Sequence, residues 1–250
     1  RKALADGLKG WRKAPTYQRP DDPLQTVAPK VFDTNTPDKA NAFYLADLGL
    51  KLQDSDADFP AVYLANYLLG LSETSRLWNR VRVEDGLSYN VRSQVDASSY
   101  EPHGSWTVYA IHAPSNSDKL AKTIDEVLAQ TLKDGFSEQE IKEGVNALLN
   151  YRRLSRSQDT VVSSAWLNYL DLGRSFEWSE KMDQDLQKLN AQQVNAVLRK
   201  YLKPKEMVVA IAADHERQKQ GAAAPEAQEA EQGQAPVPAP TAPAALEAQP

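Results

Sequence analysis

The sequence predicts an α+β domain, a mostly antiparallel sheet with helices packed on one face. Three observations carry that reading. Short segments of alternating polarity come in pairs, longer segments with apolar residues three and four apart come in runs, and the composition changes abruptly near Glu216. A period of two buries one face of a strand, and a period near 3.6 buries one stripe of a helix. Strands in pairs and helices in runs favour an antiparallel sheet with its helices segregated to one side.

The elements follow in order. Leu4, Leu8 and Trp11 stand at helical spacing, and Pro15, Pro20, Pro23 and Pro29 come after them. Residues 1–23 therefore read as a helix left by an upstream unit and an extended linker, with one domain over 24–216. Residues 41–50 (NAFYLADLGL) mix apolar and aromatic side chains without Pro and predict a strand. Asp58 precedes Pro60 and the run Leu64, Leu68 and Leu69, which predicts a helix with Asp58 as its N-cap. Residues 72–83 place Leu77, Trp78 and Val81 on one helical stripe that ends before Gly86. Residues 87–98 alternate Leu87, Tyr89, Val91, Ser93 and Val95 against polar neighbours, a half-buried strand, and 105–113 form a second. Pro114-Ser115 opens a helix through Leu120, Ile124, Val127, Leu128 and Leu132, which Gly135 stops. Ser137 and Glu140 make a capping box for a helix carrying Ile141, Val145, Leu148 and Leu149. Helices near 158–172 and 191–202 and a strand over 207–213 complete the domain. Residues 221–250 hold 11 Ala, 6 Pro, 4 Glu and no aromatic. Such a stretch cannot bury enough apolar surface to offset its ordering entropy, so 217–250 is expected to be a disordered tail.

Composition narrows function mainly by exclusion. Of 250 residues 41% are apolar and 25% charged, ordinary for a globular chain. The formal charge of −5 argues against a nucleic-acid partner. No apolar run approaches the ~18 residues of a membrane span. The first residue is Arg rather than Met, so a fragment or processed chain is expected. The absence of Cys removes disulfides, thiolate nucleophiles and cysteine metal sites. None of His103, His112 and His215 stands three or four residues from another, and there is no His-x-x-Glu-His or His-x-His pattern, so no zinc site is expected within the chain.

One segment is more specific. Ser75-Arg76-Leu77-Trp78-Asn79-Arg80-Val81-Arg82-Val83-Glu84-Asp85-Gly86-Leu87-Ser88-Tyr89-Asn90-Val91 resembles a motif of the pitrilysin/insulinase family of zinc metallopeptidases, S-R-L-F-x-x-x-R-x-x-x-G-L-A-Y-x-V. The order of three further landmarks is similar: Tyr100 to Gly104, the turn Gly135-Phe136-Ser137-Glu138 into a helix, and the closing Leu189-Asn190-Ala191-Gln192 with Tyr201-Leu202 and the last strand. Together they cover about 40–213. The resemblance implies one of the homologous α+β domains that close in pairs around a peptide. In that family zinc sits on an inverted His-x-x-Glu-His helix with a distal Glu. This chain departs from the pattern by lacking the motif, and resembles the facing, C-terminal domain. There the implied catalytic residues are Arg82 and Tyr89, seven apart, offered to the substrate from the non-zinc wall. The implied whole is a zinc-dependent peptidase hydrolysing an unfolded peptide. Its zinc is bound by a homologous domain or subunit, and the chain alone is expected to be inactive. The periplasm is expected by analogy with the family.

Other readings stand beside these. Without the motif, Tyr89 reads as a sheet aromatic and Arg82 as a helix-end cation favoured by the helix dipole. Arg76 and Arg80 read as surface or interdomain salt-bridge residues. His103 reads as a solvated loop residue, His112 as a packed imidazole, His215 as exposed, and Glu138 to Glu143 as a solvated helix face. The alternative function is a non-catalytic structural or interaction subunit of the same family. A further rival is a cell-envelope binding domain whose Pro/Ala-rich tail docks elsewhere.

Overall fold

A computed structural model describes residues 2–11 and 17–219. The expected tail, apart from its first three residues, lies outside them. The chain folds as an α+β domain around a five-stranded sheet of order β1-β5-β2-β4-β3. Its strands are β1 (Val31–Asn35), β2 (Ala42–Leu50), β3 (Ser88–Ala97), β4 (Gly104–His112) and β5 (Val208–Ala213). All pairings are antiparallel except β1 with β5. Alternation decides which face is covered. Tyr44, Ala46 and Leu48 of β2, Trp106, Val108 and Ala110 of β4, and Val91 and Val95 of β3 point into the core. Their neighbours on the other face are half-buried or exposed.

Helices cover the core face. They are α2 (Phe59–Asn66), α3 (Ser117–Asp134), α4 (Glu138–Ser155), α6 (Phe176–Gln187) and α7 (Ala191–Tyr201), beside α5 (Asp159–Asp171). Leu64, Leu120, Ile124, Leu128, Ile141, Leu148, Leu186 and Leu198 are fully buried among them. The capping box at Ser137 forms in full, and Asn190 and Gln193 make a second one. The short helices α1 (Lys2–Gly7) and α8 (His215–Lys219) bury none of their residues.

The helix after Asp58 differs from expectation at both ends. Asp58 is itself helical and caps nothing; its carboxylate accepts from Lys200 Nζ at 2.6 Å and the Tyr201 hydroxyl at 3.1 Å, tying α7 to the start of α2. At its other end α2 widens into π-helical turns over Tyr67–Leu71. The next helical segment, Trp78–Glu84, is also π-helical. Gly70 lies against β3 so closely that a Cβ there would stand 2.5 Å from Ser93 Cβ.

Three elements were not foreseen: α8, which makes the first residues of the expected tail, 217–219, helical, and the two that follow. β1 is exposed at every residue, so it has no alternation to read, and its parallel partner lies at the far end of the chain. The amphipathic α6 is mostly polar, although Ser175 caps it and Trp178, Met182 and Leu186 at four-residue spacing give a signal that could have found it.

Candidate functional site

Arg82 stands in the last turn of the Trp78–Glu84 segment, and Tyr89 is the second residue of β3. Between them the chain must reverse. Gly86 takes φ +60°, a left-handed conformation that costs a side-chain-bearing residue about 1 kcal/mol or more. The Leu87 amide donates to the Val81 carbonyl at 2.9 Å, and Leu87 is buried. The reversal is anchored to α3. Thr123 Oγ1 donates to Asp85 at 3.2 Å, and Asp85 also meets Arg80. Asn116, just before α3, donates to the Leu87 carbonyl at 3.2 Å.

A β-bulge then sets where Tyr89 points. Ser88 pairs with His112 and Asn90 with Ile111, leaving Tyr89 as the extra residue. Ser88 Oγ donates to the Ile111 carbonyl at 2.6 Å and accepts from the Asn90 amide at 3.1 Å. Bulges re-aim side chains. Tyr89 is consequently 59% exposed, and its phenol has no partner among the described residues. Arg82 Nη1 donates to the Tyr89 carbonyl at 2.9 Å, closing the seven-residue loop. The Arg82 guanidinium lies 4.3 Å from the centre of the buried Trp78 ring, and Arg92 of β3 lies 4.3 Å from the same centre. The structure thus brings Arg82 and Tyr89 together at one exposed corner and adds Trp78 and Arg92. Arg92 was missed because a lone Arg on an alternating strand reads as a solvated residue.

The remaining candidates lie elsewhere. Arg76 meets Glu140 at 2.9 Å and the Gly135 carbonyl at 2.7 Å, and Arg80 meets Asp85, so both serve packing within the domain. Glu140 belongs to a capping box, and Glu138 accepts from the Ala191 amide, so that helix face is not merely solvated. His103 is held by the Asp22 carbonyl at 3.0 Å in the β3–β4 loop, and His215 by Asp33 at 2.8 Å. His112 is buried, with Nε2 on Ser117 Oγ at 2.9 Å; burial lowers its pKa. Among the described residues no three His, Asp or Glu gather as a metal site, and the scattered His residues do not fit zinc. No described helix is long and apolar enough to cross a membrane.

The family model described as "Peptidase M16 inactive domain" matches residues 2–148, which include Arg82 and Tyr89. The chain belongs to this family. It is the C-terminal type of pitrilysin-family domain. A Bacillus subtilis relative named "Uncharacterized zinc protease YmxG" is 33% identical over 135 residues, covering 54% of this chain and 32% of that protein. A Helicobacter pylori relative named "Non-peptidase homolog YmxG" is 21% identical over 218 residues, covering 87% of this chain and 50% of that one. The M16 inactive domain therefore spans a third to half of the length of these curated relatives. The crystal structure of a peptidase M16 inactive domain from Pseudomonas fluorescens shares the fold with a TM-score of 0.70 at 22% identity, covering 80% of this chain and 47% of that one.

Proposed function

We propose that this M16 inactive domain forms the non-zinc wall of a peptidase chamber, opposite a zinc-bearing homologous domain or subunit. One observation carries the proposal: a single anchored turn holds the Arg82 guanidinium and directs the unpartnered Tyr89 phenol outward beside it. Attack of water on a peptide carbonyl places negative charge on its oxygen. Donors fixed in advance near that oxygen stabilise the transition state more than the substrate. A phenol supplies one directional hydrogen bond, and a guanidinium supplies several with a permanent charge. Tyr89 would donate to the developing oxyanion, and Arg82 would hold the peptide backbone. The substrate would be an unfolded peptide. Residues 1–23 would be the exit helix and linker of a preceding domain, 24–216 the wall domain, and the periplasm the compartment by analogy with the family.

A second reading has its own support. The Helicobacter pylori relative aligned over most of the chain is named a non-peptidase homolog, which favours a structural or interaction subunit. The two readings separate on Tyr89→Phe, assayed with the cognate zinc-bearing partner. Loss of one oxyanion donor should lower kcat by about 10²-fold, while the melting temperature of the chain stays near that of the wild type. A normal kcat would end the catalytic role of Tyr89.

A further inference from the structure

Arg92 is half-buried and has no carboxylate within ion-pair distance among the described residues. Each other half-buried arginine among the described residues has one: Arg76 meets Glu140, Arg80 meets Asp85, Arg152 and Arg156 meet Asp183, and Arg174 meets Asp54. The one side-chain hydrogen bond of Arg92 within those residues runs to its neighbour's carbonyl, Val91, at 3.3 Å. Glu73 acts on it only from beyond ion-pair distance. Arg82, on the same indole, also has no carboxylate partner among the described residues and has spent one nitrogen on the Tyr89 carbonyl. Two like charges on one ring repel, and partial burial adds a desolvation cost; the face of Trp78 offsets these only in part. The other half-buried arginines among the described residues are neutralised within the domain, so an anion from outside would offset a cost that this pair otherwise carries.

We propose that Arg92, with Arg82, forms a carboxylate-binding subsite beside Tyr89, and that Arg92 makes the site selective for peptides presenting a carboxylate there. The proposal deepens the wall reading, on which it rests for the peptide nature of the ligand. Both guanidinium groups lie 4.3 Å from the centre of the Trp78 ring, and each can offer N–H groups to a carboxylate. An Asp or Glu side chain and a peptide C-terminus offer the same group, and a direct binding experiment tells them apart.

Three synthetic decapeptides suffice: one capped at both ends with a single central Glu, its Gln counterpart, and the Gln peptide with a free C-terminus. Calorimetric titration into the full chain should give the Glu peptide about a tenfold tighter Kd than its Gln counterpart, the strength of a charge-assisted pair. If the free C-terminus brings the gain instead, the subsite is assigned to chain ends. Arg92→Gln should erase the preference and Arg92→Lys should keep part of it, both at unchanged melting temperature. An equal Kd for all three peptides, or a preference that survives Arg92→Gln, overturns the proposal. The wall reading fails separately, on the turnover of Tyr89→Phe. A carboxylate preference dependent on Arg92 beside a normal kcat for Tyr89→Phe would keep the subsite and remove only the catalytic role.

Discussion

Tyr89 owes its exposure to a single extra residue in β3, and other side chains are fixed by equally local causes. Trp106 donates its indole N–H to Ser93 Oγ at 2.8 Å, and Ser93 donates to Asn66 Oδ1 at 2.7 Å, all within the core. Ser93→Ala would leave the indole unpaired and should lower stability by about 1–3 kcal/mol, measured by urea denaturation. His112 gives a pH signature. Ser117 Oγ donates to the Pro114 carbonyl at 2.8 Å, so it accepts from Nε2–H of the buried His112 ring. Burial disfavours the charged ring and sets its folded pKa below the unfolded 6.5. The unfolded chain therefore binds more protons below that value, and stability should fall as pH drops from 6.5 towards 5. Carboxylates held low, Glu140 and Asp214, act at lower pH, whereas Asp96 and Asp125, raised by burial, work in the opposite sense, so the His112 contribution is read as the difference between the wild type and His112→Gln. That contribution should be visible in urea midpoints and absent in His112→Gln.

At the scale of elements, two contacts hold segments that are distant in sequence. The π-helical turn of Tyr67–Leu71 rests on β3 through Gly70. Gly70→Ala would push that turn from β3 and should cost about 1–3 kcal/mol through overpacking, seen as a lowered urea midpoint. The second contact joins loops. Arg174, between α5 and α6, grips Asp54 with two hydrogen bonds of 2.6 and 2.8 Å, and Ser99 of the β3–β4 loop donates to the same carboxylate at 2.6 Å. The side chains of Asp54 and Arg174 are only 9% and 15% exposed. Removing one partner of such a pair strands the other charge, so Asp54→Ala should destabilise by about 3 kcal/mol. Scanning calorimetry would register the loss, and an unchanged melting temperature would show that solvent already screens the pair.

At the scale of the whole molecule, the sheet is covered on one face and open on the other. The open face carries Phe43 stacked on Tyr109. The described residues gather no metal ligands. The chain, dialysed after incubation with zinc, should retain much less than one equivalent by metal analysis, and should cleave no unfolded peptide alone. Stoichiometric zinc with chelator-sensitive cleavage would contradict the wall assignment, because the chain would then be self-sufficient.

The sequence by itself determined the α+β class, the order of most elements and the capping box at Ser137, and its motif resemblance pointed to Arg82 and Tyr89. These depend on local periodicity, on caps within one turn, or on a motif spanning seven residues. Tertiary structure alone decided the rest. β1 exists only because β5 supplies its hydrogen bonds, and an exposed strand leaves no alternation to read. Asp58 serves α7 rather than its own helix, because its helical backbone turns the carboxylate from the amides it was expected to cap. The bulge at Tyr89 arises from a slip in pairing with β4, which no single strand encodes. Arg92 joined the site through Trp78, fourteen residues earlier on another element. Sequence spacing gives the period of one element, whereas register and cross-element contact depend on where its partners lie in space.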